Sequence, residues 1–325
     1  MMNKDLKIVV LDGYPAILED LDYSSLEEFG QLIVYKHNDP NDYEGTIEKI
    51  GDADIAVTNK VIITSQMMDR MPKLKLIAVV ATGYNIIDHV AARQRGIPVT
   101  NIPSYSTNSV AQMVFAHLLN ITNRVEHYAA ANRNGRWCKS PDFAYCDFVH
   151  HELAGMTLGI IGVGNIGTKV AAIANAFGMK VVAHTHRQQD DLPAGIEKVA
   201  LDELLKTSDV VSLHCPLNKD TEHIINSHTL GMMKPSAILI NTGRGPLVCE
   251  ADLAAALGTG QIAAYAADVM SQEPPQADSP LLKAPNAFFT PHIAWATLQA
   301  RTRLLNILTD NIRAFTEGRA INVVN

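Results

Sequence analysis

The stretch "TLGIIGVGNIGTKVAAIANAFG", residues 157–178, decides the fold class of this chain. A short apolar run leads into the pattern Gly-x-Gly-x-x-Gly, formed by Gly162, Gly164 and Gly167, and helix-forming residues follow. In such a pattern the first glycine permits a tight turn, the second lets the backbone approach a pyrophosphate, and the third allows close packing of helix on strand. The free N–H groups and positive dipole of the helix N-terminus favour the same ligand. Strand, glycines and helix in this order predict a dinucleotide-binding unit rather than an ordinary strand-to-helix turn.

Similar apolar runs alternate with amphipathic stretches along the whole chain, which indicates two consecutive series of parallel βαβ units and an α/β fold. In the first series, strands are predicted at 7–13, 32–35, 54–59, 74–83 and 98–102. In the second series, they are predicted at 157–164, 180–185, 210–216, 237–243, 262–269 and 287–292. Helices are predicted at 23–29 and 88–94, as one long helix from about 106 to 134, and as a final helix from about 297 to 317.

Composition restricts the classes to which this protein can belong. A chain of 325 residues, 47% of them hydrophobic and 19% charged, is long enough for two domains with separate cores. The net charge of −7, with both signs interspersed, lacks the basic patch that nucleic-acid binding requires. The longest uncharged stretch, 96–123, is interrupted by Pro98, Pro103 and polar residues, unlike a membrane span. We therefore expect neither a nucleic acid nor a membrane as partner.

The four cysteines show neither a metal-binding nor a disulfide pattern. Cys138, Cys146, Cys215 and Cys249 form no CxxC or zinc-ligand spacing, and a chain of this size does not need disulfides to fold. We expect no metal site and a reducing location, the cytoplasm.

Three charged or titratable residues, Arg244, Glu273 and His292, come at or just beyond the ends of predicted strands of the second series. In an open α/β sheet, ligands bind outside the carboxyl ends of the strands. Taken singly, the three could be a loop cation, a solvated turn acid and a strand cap. Their shared edge, beside the predicted nucleotide unit, favours a role in binding or catalysis.

Six motifs give the chain a family resemblance over nearly its whole length. Besides the glycine pattern they are ATGYNIID (81–88), LHCPLNKDTEHIIN (213–226), NTGRGPLV (241–248), AADVMSQEPP (266–275) and TPHIA (290–294). In their order and spacing the chain resembles the D-isomer-specific 2-hydroxyacid dehydrogenases, and within them the glycerate dehydrogenase and hydroxypyruvate reductase branch.

The resemblance implies an architecture that the two series alone do not predict. Residues 1–101 and 294–325 would form a flavodoxin-like substrate domain, and residues 102–293 a Rossmann dinucleotide-binding domain inserted into it. The substrate would lie in the cleft between the domains, and hinge closure around substrate and cofactor would be the expected motion.

The resemblance also implies the catalytic and substrate-binding residues. Arg244 would hold the substrate carboxylate and polarise the carbonyl, and backbone N–H groups near Thr82 and Gly83 would bind the carboxylate as well. His292 would donate a proton in reduction and accept it in oxidation, because imidazole titrates near neutral pH. Glu273 would orient this ring and favour its protonated form.

The expected cofactor contacts lie on the glycine turn and on the loops that follow the strands of the second series. Asp268 would contact the nicotinamide carboxamide by analogy with the family, and Cys215 is expected to be a wall residue rather than a nucleophile. The full set is Gly162, Gly164, Asn165, Ile166, Gly167, Thr185, His186, Arg187, Cys215, Pro216, Thr221, Thr242 and Asp268.

The choice between NAD and NADP depends on "VVAHTHRQ", residues 181–188. An NAD-selective site needs a carboxylate about 20 residues beyond the glycines, because it accepts the ribose hydroxyls. Thr185 stands at that place, followed by His186 and Arg187, and no acid occurs before Asp190. A hydroxyl and a guanidinium suit a 2′-phosphate, so the sequence favours NADP over NAD; the alternative is an enzyme that accepts both.

The loop at residues 137–148 contains four aromatic residues, Trp137, Phe143, Tyr145 and Phe148. Exposed aromatic patches of this kind usually mark an interface, and relatives dimerise through the cofactor domain. We therefore expect a homodimer in which this loop crosses to the partner and brings Trp137 near the partner's active site.

These inferences predict an enzyme that reduces hydroxypyruvate or glyoxylate to D-glycerate or glycolate. Two alternatives stay open at the level of the sequence. A D-3-phosphoglycerate dehydrogenase would need basic residues for the substrate phosphate, and no local cluster of them is evident near Tyr84 or Tyr105. A dinucleotide-sensing corepressor would share the fold and many motifs but act as a binding module.

Overall fold

The computed structural model describes residues 5–39 and 41–325, which form two compact units. The first unit comprises the residues up to Ser106 together with Ala296–Asn325, and the second comprises Thr107–Trp295. The two divisions were predicted at 101/102 and 293/294, whereas the units divide at 106/107 and 295/296.

The first unit is built on a five-stranded parallel sheet. Its strands are β1 (Leu6–Val10), β2 (Gly30–Val34), β3 (Ile55–Thr58), β4 (Leu76–Val79) and β5 (Val99–Thr100). Their order in the sheet is β2-β1-β3-β4-β5, which is the order of flavodoxin-like folds. Every residue of β3 and β4 is buried, which explains why these strands are continuous apolar runs in the sequence.

Short helices connect these strands. Three of them begin at a side-chain cap, in which Asp42, Thr64 or Asp88 accepts a hydrogen bond from a backbone N–H group of the first turn. The helices are α1 (Tyr14–Ile17), α2 (Tyr43–Ile50), α3 (Ser65–Asp69) and α4 (His89–Gln94).

The helix predicted at 23–29 is present as a 3₁₀ helix, Ser24–Phe29. Its two buried side chains, Leu26 and Phe29, are three residues apart, which matches the three-residue turn of a 3₁₀ helix.

The second unit is built on a seven-stranded parallel sheet. Its strands are β6 (Thr157–Ile161), β7 (Lys180–His184), β8 (Glu197–Lys198), β9 (Val210–Leu213), β10 (Ile238–Asn241), β11 (Ala264–Ala267) and β12 (Ala287–Phe289). Their order in the sheet is β12-β11-β10-β9-β6-β7-β8. β6 lies between β9 and β7, so the strand order reverses beside it, and such a reversal opens a crevice at the carboxyl edge. The two-residue strand β8 was not predicted, since so short a segment has no apolar pattern.

Helices pack on both faces of an open sheet of this kind. They are α5 (Thr107–Asn123), α6 (Val125–Arg133), α7 (Asn165–Ala176), α8 (Leu201–Thr207), α9 (Ser227–Met232) and α10 (Glu250–Thr259).

The prediction of one helix over 106–134 was wrong, because Arg124 separates α5 from α6 with a left-handed backbone (φ 50°). Its guanidinium lies over the rings of Phe148 and Phe288, 5.1 and 5.0 Å from their centroids. α5 buries much of its surface, whereas no residue of α6 is buried. These contacts are distant in sequence, so the helical spacing gives no sign of the break.

The last helix, α11 (Leu298–Thr316), returns to the first unit and begins at the side-chain cap of Thr297. Its Arg301 is buried and forms a bidentate ion pair with Asp20. Beyond it, Val323 pairs with Thr100 at the edge of the first sheet. Within 5–39 and 41–325, no helix has the length and apolar character that a membrane span requires.

Candidate active site

The three glycines after β6 differ in what a side chain at each position would contact. Gly162 has a φ of +97°, and a Cβ there would lie 2.6 Å from the backbone nitrogen of Cys215. A Cβ on Gly167 would collide with the carbonyl oxygen of Gly162. A Cβ on Gly164, by contrast, would meet no heavy atom within 4 Å. The protein's own packing thus requires Gly162 and Gly167, and the open space at Gly164 fits a pyrophosphate.

The first turn of α7 provides the donors for such a ligand. No side chain caps the helix at Gly164, and the first backbone N–H groups of an α-helix have no acceptor within the helix. Asn165 is exposed, whereas Ile166 turns its side chain onto the apolar core. These features fit the phosphate groups of a dinucleotide.

The loop after β9 forms the neighbouring wall. Burial raises the pKa of the Cys215 thiol, which keeps it neutral and suits a wall residue. Pro216 is exposed, and its carbonyl accepts a hydrogen bond from the Thr221 hydroxyl at 2.6 Å. Thr221 therefore braces this loop. His214 contacts the Ser212 hydroxyl through Nε2 at 2.8 Å, and burial lowers its pKa to about 4.

The loop after β10 places Thr242 and Arg244. The Thr242 hydroxyl is buried, and no group in the described residues hydrogen-bonds to it, so it fits a ligand. Asn241 shapes the loop by accepting the N–H of Gly243 and donating to the carbonyl of Arg244. The Arg244 guanidinium is exposed and donates to the Gly243 carbonyl at 2.8 Å. Among residues 5–39 and 41–325, no carboxylate pairs with it, which leaves its charge for an anionic ligand.

The loops after β10 and β11 touch through their backbones at Gly245. A Cβ on this glycine would collide with the carbonyl group of Met270. The N–H of Met270 donates to Glu273 Oε1 at 3.0 Å. The glycine after Arg244 therefore lets the two loops approach closely enough to place Glu273 beside the same edge.

Glu273 and His292 form the predicted pair. The Nδ1 atom of His292 lies 2.6 Å from Glu273 Oε2, and about a third of each side chain is exposed (30% and 35%). Because Nδ1 faces the carboxylate, Nε2 is the ring nitrogen left for a substrate. Arg244, Glu273 and His292 follow the neighbouring parallel strands β10, β11 and β12.

Asp268 has a role that the sequence analysis missed. Its buried carboxylate accepts hydrogen bonds from the Thr290 hydroxyl at 2.5 Å and from the N–H groups of Ile293 and Ala294 at 2.9 and 2.7 Å. These donors stand on both sides of His292, whose φ is +54°. Asp268 thus holds the turn that carries His292, and its predicted nicotinamide contact stays a prediction.

Two further residues support this turn. The Nε2 atom of buried His117 lies 3.2 Å from the Thr290 hydroxyl, and burial lowers the pKa of His117 against a smaller opposing effect of Asp268. Since the hydroxyl donates to Asp268, it accepts the N–H of His117. The indole of Trp295 donates to the His292 carbonyl at 2.8 Å. Sequence patterns gave no signal for His117, because it stands on an apolar helix face like a core residue.

Thr185, His186 and Arg187 follow β7. The Thr185 hydroxyl accepts the N–H of Arg187 at 3.3 Å, and the side chains of His186 and Arg187 are exposed. No acid in the described part of the chain pairs with Arg187. Lys198 on β8 donates to the Arg187 carbonyl at 2.6 Å, and the sequence analysis did not include this lysine because β8 was not predicted.

Thr82 and Gly83 lie in the first unit, after β4. The Thr82 hydroxyl donates to the carbonyl of Ile102, and the Thr82 carbonyl accepts from Asn101, both at 2.8 Å. These bonds fix the loop through groups other than its N–H donors. The N–H groups of Thr82 and Gly83 have no acceptor within 5–39 and 41–325, so they can bind an anion.

No set of three or more His, Cys, Asp or Glu side chains in the described ranges is arranged to hold a metal ion. The second unit instead combines a crevice that fits a dinucleotide, a carboxylate–imidazole pair that can transfer a proton and an exposed guanidinium that can bind an anion. This combination defines a nicotinamide-dependent dehydrogenase.

Comparisons with known proteins specify the family. Residues 115–294 match the model of the D-isomer specific 2-hydroxyacid dehydrogenase, NAD binding domain. The chain is 44% identical to a hydroxypyruvate reductase of Blautia hydrogenotrophica over 98% of this chain and 100% of that one. It is 41% identical to a glycerate dehydrogenase of Methylorubrum extorquens over 98% of both chains. Among solved structures, the acyclic imino acid reductase Bsp5 in complex with NADPH and D-Arg is 31% identical, with a TM-score of 0.84 over 98% of this chain and 100% of that one.

The chain belongs to the D-isomer specific 2-hydroxyacid dehydrogenase family. It is an NAD(P)-dependent oxidoreductase of 2-hydroxy acids with a Rossmann-like dinucleotide-binding unit. The predicted fold class and family are thus confirmed.

Proposed function

We propose that this enzyme reduces hydroxypyruvate and glyoxylate to D-glycerate and glycolate. The observation that carries the proposal is the Glu273–His292 pair at 2.6 Å on the same sheet edge as the exposed Arg244 guanidinium. The names of the relatives from Blautia hydrogenotrophica and Methylorubrum extorquens support the choice of substrate.

In this proposal His292 is the catalytic acid and base. Its Nε2 atom donates a proton to the carbonyl oxygen during reduction and takes it back during oxidation. Glu273 holds the ring through Nδ1 and stabilises the imidazolium by its charge. Met270 holds the other carboxylate oxygen of Glu273, so the ring has a fixed orientation.

Arg244 binds the substrate carboxylate and polarises the carbonyl in the same proposal, because a guanidinium offers two parallel donors. The N–H groups of Thr82 and Gly83 are assigned to the carboxylate as well. A carboxylate that is held by two parallel donors is oriented for attack on one face of the neighbouring carbonyl carbon.

A nicotinamide dinucleotide supplies the hydride when it is bound. We assign its phosphates to the glycine turn and the start of α7, its nicotinamide end to the Thr242 hydroxyl and Asp268, and the wall of its site to Cys215, Pro216 and the loop braced by Thr221. At the adenosine end, Thr185, His186 and Arg187 replace the acid that NAD selectivity needs. We infer a preference for NADP(H), which the exposed charge of Arg187 supports.

We further propose that the enzyme is a homodimer located in the cytoplasm. Phe143, Trp137 and Phe148 are 92%, 55% and 41% exposed, which supports an interface at 137–148. Trp137 would then lie near the partner's active site. The four cysteines are free thiols, which suits a reducing compartment.

The test is a comparison of kcat/KM for hydroxypyruvate, glyoxylate, pyruvate and 3-phosphohydroxypyruvate with NADH and NADPH. We expect hydroxypyruvate and glyoxylate to be the preferred substrates. A preference for the phosphorylated acid would make the protein a phosphoglycerate dehydrogenase, and no turnover of any of them would indicate a dinucleotide sensor.

Two variants test the assigned roles. His292→Asn should lower kcat by about 10²–10⁴-fold, and Arg244→Gln should raise KM and lower kcat together. Quenching of intrinsic fluorescence by NADPH should give an unchanged Kd in both variants. Near-normal turnover by His292→Asn would remove this histidine from the mechanism.

A further inference from the structure

Lys198 lies next to the turn that follows β7. It stands on the edge strand β8, where its backbone pairs with Ala183 of β7. Its N–H donates to Gln189 Oε1 at 2.7 Å, and Gln189 in turn donates to the carbonyl of Ile196 at 3.0 Å. The main chain of Lys198 is therefore fixed by the sheet on one side and by the Gln189 side chain on the other.

The side chain of Lys198 points to the same turn. Its ammonium donates to the carbonyl of Arg187 at 2.6 Å, and the side chain is only partly exposed. An ammonium has three donors, and this bond uses one of them. The charged group therefore lies within a hydrogen bond of the residue whose guanidinium we assign to the adenosine end of the cofactor.

The charges around this lysine leave it unneutralised. No carboxylate in the described ranges forms an ion pair with Lys198 or with Arg187. The nearby acids are Asp190 and Asp191, in an exposed 3₁₀ turn, and Glu197. Successive side chains of a strand point to opposite faces, so Glu197 is directed away from the face of Lys198. Lys198 and Arg187 are thus two positively charged residues at one turn, and neither has an ion-pair partner within the described ranges.

We propose that Lys198 is a ligand of the 2′-phosphate of NADP(H), where it acts together with Thr185 and Arg187. This inference rests on the proposed preference for NADP(H). A phosphate bound at this turn accepts hydrogen bonds from the Arg187 fork, from the threonine hydroxyl and from the free N–H donors of the lysine. Lys198 then determines cofactor selectivity from a strand that carries no part of the glycine motif.

A purely structural role makes a different prediction. If Lys198 served only to brace the Arg187 carbonyl, its loss would disturb the whole adenosine site and weaken every adenine nucleotide alike. A phosphate ligand contributes only when the 2′-phosphate is present. Binding of 2′,5′-ADP and of 5′-ADP, measured by calorimetry, separates the two roles without any catalytic step.

In the experiment, Lys198→Met is compared with the parent enzyme and with Lys180→Met. Lys180 is an exposed lysine at the amino end of β7, so this control makes the same change of charge at the opposite sheet edge. We expect Lys198→Met to bind 2′,5′-ADP roughly 10- to 100-fold more weakly, the value of a hydrogen bond to a charged group. Its Kd for 5′-ADP and both Kd values of Lys180→Met should equal those of the parent. The ratio of kcat/KM for NADPH to that for NADH should fall by the same factor.

Two results would overturn the inference alone: unchanged binding of 2′,5′-ADP to Lys198→Met, or an equal loss of both nucleotides. Arg187→Met serves as a test of the underlying NADP(H) proposal. If the parent binds 2′,5′-ADP no more tightly than 5′-ADP, and Arg187→Met changes neither, the preference for NADP(H) is wrong and the role of Lys198 is refuted with it.

Discussion

At the scale of single residues, the glycines after β6 show that one motif can serve both the fold and the ligand. Gly162 and Gly167 are surrounded by backbone atoms of the second unit, whereas Gly164 borders open space. The sequence pattern treats the three glycines alike. In the structure they differ in the atoms that a side chain at each position would contact.

This separation predicts opposite effects of two alanine substitutions. Gly164→Ala should leave the melting temperature of the ligand-free protein unchanged. It should weaken binding of NADPH at least tenfold, because the methyl group would occupy the space that we assign to the pyrophosphate. Gly162→Ala should lower the melting temperature, since it adds a clash with Cys215 to a left-handed backbone. Thermal unfolding and fluorescence titration of both variants provide the measurement. Equal loss of stability in the two would contradict the assignment.

His214 is a second residue whose environment can be tested. Its pKa is about 4 in the folded protein because of burial, whereas an unfolded histidine titrates near 6.5. Below pH 6.5 the unfolded state therefore binds a proton that the folded state does not, and stability falls as the pH is lowered towards 4. Between pH 7 and pH 5 this group alone should reduce the free energy of unfolding by about 2 kcal/mol.

The measurement is urea unfolding of the ligand-free parent and of His214→Gln at pH 7 and pH 5. Glutamine does not titrate and can still reach the Ser212 hydroxyl, so the variant should lose less stability than the parent. The same pH dependence in both proteins would mean that His214 does not titrate as expected.

At the scale of elements, the turn that follows β12 carries His292, the proposed catalytic residue, in a left-handed conformation, which is rare for a residue with a side chain. The turn persists because Asp268 accepts hydrogen bonds from both sides of His292, while His117 and Trp295 add one bond each. Two distant elements, β11 and α5, thus determine the position of one imidazole.

Thr290 is the junction of this network and can be changed almost without a change of volume. Thr290→Val removes the hydroxyl and leaves His117 and Asp268 without that partner, whereas Thr290→Ser keeps it. We expect the valine variant to lose roughly 10- to 100-fold in kcat, because small displacements of a catalytic group are costly, with an unchanged Kd for NADPH. The serine variant should restore most of the activity. Equal kcat in both variants would show that the hydroxyl does not position His292.

At the scale of the whole molecule, the two units differ in strand order and carry different residues of the proposed site. The second unit carries the dinucleotide crevice and the Glu273–His292 pair, and the first carries the loop with Thr82 and Gly83. The second unit also presents α6, none of whose residues is buried, followed by the aromatic loop 137–148. Exposed aromatic side chains such as those of this loop suit a subunit interface.

We expect a dimer in sedimentation velocity experiments at micromolar concentration. Phe143→Glu should shift the protein towards the monomer, because a charge at a 92% exposed aromatic position would be buried in the interface. Val90→Glu is the matched control, since Val90 is an exposed apolar residue of the first unit, outside this patch. A monomeric parent, or equal behaviour of the two variants, would contradict the proposed interface.

The amino-acid sequence by itself determined the α/β class, the family and most strands. These features follow from local patterns: an apolar run of four or five residues predicts a buried strand, and glycine spacing predicts the turn that follows. The sequence also predicted Arg244, Glu273 and His292 as one group, because parallel strands bring their carboxyl ends to a common edge.

Only the tertiary structure decided the contacts that hold this group in place. The break at Arg124, the clamp of Asp268 on the His292 turn and the approach of Lys198 to Arg187 each join residues whose spacing follows no helical or strand period. Such contacts depend on which strands become neighbours and on which side chains the core excludes from water. Local periodicity predicts neither the neighbouring strands nor these buried side chains. It reflects only which face of an element is buried and not which partner covers that face.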